Sequence, residues 1–295
     1  MRFSDAYRPG KFGLSFELFP PKTEKGDAAL MRHVAELVSF GPSIITCTYG
    51  AGGSTRAKTL EVVERVREAF DVCVASHLTC VGSTVDELRT FLADAHRRGV
   101  ENIVALRGDP PVGEHEFKVT DGGLRYANEL VALIVDEFPQ FGIGVGGYPE
   151  KHQEAPSLDV DIINLKRKVD AGADVVLTQL FYDNDDFFRF RDHCAGAGID
   201  VPIVPGLLPV TNFGQVQRIT SLCGAKLPAA FVASLEAAGD QADRQFDVGI
   251  EFATQQTQAL IDAGVPGVHF YVLNKSAAAA RVLSNVSRPS SIKLP

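Results

Sequence analysis

The feature that most constrains this chain is its rhythm. Short apolar runs of strand length alternate with helical patterns almost from end to end. The strand candidates are LSFELF, SIITCTYG, VCVASHLTC, NIVALRG, FGIGVGGYP, DVVLTQLFY, VPIVPGLLP and GVHFYVLN. Between them lie amphipathic stretches such as GDAALMRHVAELVSF and TVDELRTFLADAHRRG, and KSAAAARVLSNV follows the last strand. Eight strands, each followed by a helix, predict a (β/α)8 barrel, with an open doubly wound sheet as the alternative. Residues 228–264 add helical material before strand eight. No linker divides the chain, and its 295 residues suit one barrel domain spanning 1–295. Gly99, Gly172, Gly198 and Gly264 mark helix ends, and Thr84-Val-Asp-Glu87 reads as a capping box.

A formal net charge of -8 argues against a general nucleic-acid binder. No apolar run approaches the roughly 20 residues of a membrane span, and MRFSDAYRPGKFG lacks a signal-peptide core. The five cysteines form no C-x-x-C pair and fit no zinc spacing, so they read as reduced, mostly buried thiols of a cytoplasmic protein. No metal is expected.

Strand side chains alternate between faces. In LSFELF, Leu14, Phe16 and Leu18 share one face, which in a barrel meets the helices. Ser15, Glu17 and Phe19 share the other, so Glu17 points inward near the C-terminal mouth, where barrel enzymes place their chemistry. The same parity groups Thr46 and Thr48 with Ile44, His77 and Thr79 with Ala75, and Gln179 with Val175 and Leu177. In NIVALRGD it groups Ile103, Ala105, Arg107 and Asp109. Polar groups thus gather at one end of several strands. For Glu17 the alternative is a structural ion pair with Arg107.

Other motifs are less specific. Gly142-Ile-Gly-Val-Gly-Gly147 matches G-x-G-x-x-G, but its glycines lie within the strand and Tyr148-Pro149 follows. A dinucleotide turn is therefore rejected in favour of something flat approaching the strand backbone. The basic run Lys166-Arg-Lys168 is either a solvated helix face or an anion-binding edge. His152 lacks a second metal ligand at a useful spacing, and Lys275 at the end of strand eight raises a Schiff-base reading. No G-x-S-x-G elbow occurs.

In order along the chain, SFELFPPK, TYGAGGSTR, SHLTC, ALRGDPP, NLKRKVDAGAD, TQLFYD, PGLLPV and HFYVLN together resemble the methylenetetrahydrofolate reductase family. The resemblance covers about Leu14 to Asn274. It implies an FAD-containing barrel that reduces 5,10-methylenetetrahydrofolate to 5-methyltetrahydrofolate with NADH or NADPH. One shared site implies ping-pong kinetics, and the place in metabolism would be one-carbon metabolism and methionine synthesis.

Roles carry over at matching positions. Glu17 corresponds to the general acid that assists opening of the imidazolidine ring to a 5-iminium ion; burial is expected to raise its pKa so that it holds a proton near neutral pH. Thr48, Tyr49, Ala51, His77 and Arg107-Gly108-Asp109 correspond to flavin and nicotinamide contacts. Tyr126, Ala127, Tyr148, His152 and Ala155 correspond to further FAD contacts, and Asp161, Asn164, Arg167 and Lys168 to its phosphate and ribose end. Asp109 is expected beside both flavin and pterin. Gln179 is expected to meet the pterin, and Gln215 and Lys275 the folate.

Two departures stand out. Lys275 replaces an arginine found in relatives and so loses a bidentate fork, and Ile219 stands where some bacterial relatives carry a stacking phenylalanine. The chain is expected to lack the regulatory domain of eukaryotic relatives, and hence inhibition by S-adenosylmethionine, and to form a dimer or tetramer. The rivals are another FAD barrel, such as a proline dehydrogenase-like oxidoreductase, and a non-catalytic flavin- or folate-binding subunit.

Overall fold

All eight apolar runs become parallel strands in a computed structural model that describes residues 1–48, 56–109 and 117–287. They are β1 (Gly13–Leu18), β2 (Ile44–Cys47), β3 (Val74–Thr79), β4 (Asn102–Leu106), β5 (Gly142–Gly147), β6 (Val175–Leu180), β7 (Ile203–Leu207) and β8 (Gly267–Tyr271). Neighbours pair in chain order and β8 returns to β1, so the barrel closes and the open sheet is excluded. Around it lie α2 (Glu24–Val38), α3 (Arg56–Phe70), α4 (Val85–Arg97), α5 (Ala127–Glu137), α6 (Leu158–Asp170), α7 (Asn184–Gly196), α8 (Phe213–Cys223) and α11 (Ala277–Asn285). The helical material before β8 forms α9 (Ala229–Ala237) and α10 (Ala242–Asp262).

The helix signals act where the sequence puts them. Thr84 Oγ1 accepts from the Glu87 amide at 3.2 Å, and Glu87 Oε2 accepts from the Thr84 amide at 2.8 Å. Gly99, Gly172, Gly198 and Gly264 all adopt positive φ just past a helix end. Disulfides are absent among the described residues; Cys47, Cys80 and Cys194 are buried thiols.

Parity sorts the core into two layers. Leu14, Phe16 and Leu18 pack outward against the helices. Inside, Ile44, Ala75, Val104, Val175, Leu177 and Val204 meet Phe3, Ala6 and Tyr7. Those three belong to a short helix, α1 (Phe3–Ala6), and the residue after it, which together plug the N-terminal end of the barrel. Phe3 N donates to Asn102 Oδ1 at 2.8 Å and ties the plug to β4. No sequence signal had assigned this segment.

The glycines of β5 take their meaning from the plug. A Cβ on Gly142 would stand 2.2 Å from Asn102 Oδ1 and 3.0 Å from Phe3 N, and one on Gly144 3.1 Å from the Phe3 ring. The flat group approaching this strand is therefore Phe3 at the lower two inward glycines. Gly146, the uppermost, lines the cleft, and a Cβ there would meet only Leu106 at 3.5 Å and the Tyr148 hydroxyl at 3.8 Å.

β4 departs from expectation. Ile103 and Ala105 pack outward, whereas Val104 and Leu106 face the interior. Arg107 and Asp109 do not continue an inward row. They reach the mouth because the strand ends at Leu106 and Gly108 turns at φ 88°.

Helix α10 leans on the chain just beyond β7, where a Cβ on Gly249 would stand 1.8 Å from the Val210 carbonyl oxygen. Backbone cannot rotate away as a side chain can. Gly249→Ala is expected to destabilise by about 3 kcal/mol, the upper end of overpacking costs. The urea midpoint checks this; an unchanged midpoint would mean that α10 slides freely.

Candidate active site

At the C-terminal ends of the strands the barrel opens into a cleft of about 560 Å³. Its floor is an acid between two imidazoles. Glu17 on β1 is directed inward, with its side chain 18% exposed. His77 on β3 and His269 on β8 flank it, 5% and 0% exposed. Glu17 Oε2 lies 3.3 Å from His77 Nε2 and 3.4 Å from His269 Nε2. His77 Nδ1 and the hydroxyl of neighbouring Thr46 are buried without a hydrogen-bond partner among the described residues.

This arrangement corrects two expectations. The partner of Glu17 is not Arg107, whose guanidinium forks onto Glu154 at 2.5 and 2.7 Å. Nor does burial leave Glu17 protonated in the ligand-free barrel. Burial pushes its carboxyl up, but the charge of His77 and the hydrogen bond from His269 outweigh this and hold it down to about 2. The strand that buries the acid also brings it two bases.

One wall of the cleft is polar. Thr48, Arg107, Gly108, Asp109, Ala127, Tyr148, His152 and Lys168 all line it. Tyr148 and His152 meet edge to face, with ring centroids 4.6 Å apart. His152 is lowered by burial, and its Nδ1 accepts from the Glu154 amide at 3.2 Å. Asp161 on α6 accepts from the His152 amide at 2.8 Å, fixing the loop from below. Lys168, on the same helix, reaches under β5 to donate to the Gly146 carbonyl at 2.5 Å. Burial pushes its ammonium down to about 8, opposed by Asp161, and no carboxylate of the described residues lies within ion-pair distance.

The opposite wall is mostly apolar, with Leu180, Leu208, Ile219, Leu222 and Leu273. Gln179 stands between the walls. Its Oε1 accepts from the Leu180 amide at 2.9 Å, leaving its amide nitrogen to the cleft. Tyr271 reaches past side-chain-free Gly206 to donate to the Thr178 carbonyl at 2.7 Å, where the β6–β7 register shifts.

The remaining candidates lie outside this lining. Asn164 and Arg167 are exposed and bond to each other at 3.0 Å. Tyr126 is exposed at the start of α5, and Ala155 is buried in the loop that Lys151 clamps. Gln215 and Lys275 are exposed. Tyr49 and Ala51 lie outside the described residues. Sequence reasoning missed His269 and Tyr271, although strand parity in GVHFY already puts both on one face. The described residues contain no group of three or more His, Cys, Asp or Glu side chains able to hold a metal, and no helix among them is long and apolar enough to cross a membrane.

The residues present also suit a flavin dinucleotide. Gly146 carries no side chain over the cleft, His77 Nδ1 is buried without a partner among the described residues, and the Lys168 ammonium has no carboxylate within ion-pair distance among them.

Residues 2–287 match the family model for methylenetetrahydrofolate reductase. Over 267 residues the chain is 39% identical to 5,10-methylenetetrahydrofolate reductase of Escherichia coli, covering 90% of this chain and 88% of that protein. It is 39% identical to methylenetetrahydrofolate reductase (NADH) 1 of Arabidopsis thaliana, covering 94% of this chain and 48% of the relative, so it spans about half that plant protein. Among solved structures, a Clostridium thermocellum protein that binds two copies of 5-methyl-5,6,7,8-tetrahydrofolic acid shares the fold. Its TM-score is 0.65 at 14% identity, and the match covers 95% of this chain and 96% of that one.

Proposed function

Because the chain belongs to the methylenetetrahydrofolate reductase family, we propose that its cleft reduces 5,10-methylenetetrahydrofolate to 5-methyltetrahydrofolate with a pyridine nucleotide and bound FAD. The flavin, when bound, would take a hydride from the nucleotide and give it to the folate, one after the other in the same cleft. The observation that carries the reading is the inward acid: Glu17 sits at the cleft floor with two imidazoles beside it.

The chain's own residues have three tasks. Lys168 and His152 bind the anionic and ribose parts of the dinucleotide, and Gly146 and Tyr148 give its ring a seat. Gln179 offers its amide nitrogen to the pterin, while Asp109 places a negative charge that favours a cationic folate intermediate. Glu17 donates the proton that assists ring opening. Without a ligand there, Glu17 is held ionised by the two imidazoles beside it. A ligand that expels water desolvates both Glu17 and His77, which favours the neutral pair and moves the proton from His77 Nε2 to Glu17 Oε2.

The test is anaerobic stopped-flow on the purified protein. Flavin absorbance should bleach with NADH or NADPH and return on adding methylenetetrahydrofolate. A protein that purifies without flavin and takes up none would overturn the reading. Reoxidation by proline-derived imines instead of the folate would favour the proline dehydrogenase-like alternative.

A further inference from the structure

The acid at the cleft floor is the top of a buried polar chain that descends to the plugged end of the barrel. Tyr7 Oη lies 2.6 Å from Ser15 Oγ, and Ser15 Oγ lies 2.8 Å from His269 Nδ1. His269 then points Nε2 at Glu17. Tyr7 is 1% exposed, and Ser15 and His269 are 0% exposed. The seat of Tyr7 is built for it: a Cβ on Gly13 would stand 2.3 Å from the tyrosine ring and one on Gly267 2.8 Å, and these glycines are register partners on β1 and β8.

Donors and acceptors along this chain can be ordered. Among the described residues Ser15 is the only hydrogen-bond partner of the Tyr7 hydroxyl. Burial pushes that phenol up, so it keeps its proton. A buried hydroxyl that does not donate bears a desolvation cost, so Tyr7 donates to Ser15. Ser15 has one proton, and His269 Nδ1 is its only other side-chain partner among the described residues, so Ser15 donates there. His269 Nδ1 is then an acceptor, and the ring proton of the neutral imidazole lies on Nε2, facing Glu17. Protonating Nδ1 would make it a donor to Ser15 and leave the buried serine proton without an acceptor among the described residues.

We propose that Tyr7 and Ser15 lock His269 as its neutral Nε2–H tautomer, which makes His269 a positioning residue for Glu17 and leaves His77 as the imidazole that exchanges a proton with that carboxylate. The groups facing His269 carry one charge, the Glu17 carboxylate, which Nε2–H meets as a donor. They are Glu17 and Ser15 on β1, Tyr7 below, and Tyr271 on its own strand, edge to face at 5.1 Å. On the β7 side its register partner is Gly206, which carries no side chain. His77 has no such lock, since its Nδ1 has no hydrogen-bond partner among the described residues. The catalytic part of this proposal rests on the reading of Glu17 as the acid; the tautomer itself does not.

The test is ring-nitrogen NMR on the full chain labelled with 15N-histidine, with His269 assigned by the signals lost in His269→Gln. Expected for the wild type is a pyridine-like Nδ1 and a pyrrole-like Nε2 that persist as the pH is lowered through the range where other histidines charge. In Ser15→Ala, Nδ1 loses its donor, so its signal should move toward the pyrrole-like position and become pH-dependent. Tyr7→Phe removes the group that polarises Ser15 and should move the signal the same way by less, which keeps the test open if Ser15→Ala does not fold. A wild-type His269 protonated on Nδ1, or spectra of the folded variants identical to wild type, would overturn the lock. That outcome is separable from failure of the acid assignment, which would leave these spectra intact while Glu17→Gln still turned over folate.

Discussion

Glu17→Gln is expected to lower methylenetetrahydrofolate turnover by about 10²–10⁴-fold, the usual contribution of a positioned general acid. The amide keeps the shape and the hydrogen-bonding reach of the carboxyl group but has no proton to give. NADH-driven bleaching of the flavin does not need that proton and should stay within about threefold of wild type. Stopped-flow measurement of both half-reactions separates them. Equal losses in the two halves would assign Glu17 to flavin binding, and full folate turnover would remove it from the chemistry.

The same variant should reveal the ionic state of the site through stability. The folded-state pKa of Glu17 is depressed below its ordinary value of 4.5 to about 2. A carboxylate held down in this way stabilises the fold above about pH 4.5, and that contribution fades as the pH falls toward 2. The difference in urea midpoint between wild type and Glu17→Gln should therefore be largest near neutrality and shrink below about pH 5. A difference that grows on acidification would mean that Glu17 is protonated in the native protein.

Lys168→Met is expected to act in opposite directions on stability and on binding. The ammonium of Lys168 is lowered from 10.5 to about 8 by burial, so at neutral pH it is a charge that the empty fold tolerates at a cost. For a base with a depressed pKa, stability rises with pH between about 8 and 10.5, because there the unfolded chain binds more protons. Methionine fills a similar volume without the charge and should raise the ligand-free stability by about 1–2 kcal/mol. Flavin retention should fall at least about tenfold, since a cation paired with a buried phosphate contributes more than 1.4 kcal/mol. Thermal unfolding and flavin titration of the same preparation measure the two effects. A variant that loses stability and keeps its flavin would make Lys168 a strut for the Gly146 carbonyl and nothing more.

Much of the fold was readable because it depends on local order. The eight strands, the capping box at Thr84, the glycine helix ends and the inward face of β1 follow from patterns a few residues long, and tertiary packing preserved them. In β2 and β3, and in β6 despite its register shift, parity also placed Thr48, His77 and Gln179 at the mouth. It failed at β4, because the strand stops at Leu106 and Gly108 re-aims the two residues that follow. The role of the β5 glycines was half legible: close approach was foreseen, but not that the N-terminal Phe3 would make it.

The sequence alone determined that an acid would face the interior at the top of the first strand, because alternation along a strand is a property of the backbone itself. Only the closed barrel decided what that acid is next to. Glu17 and His269 are 252 residues apart and become neighbours because β8 returns to β1. Whether a buried carboxyl group keeps its proton depends on the charges and donors within a few ångströms of it, and those are set by which strands touch.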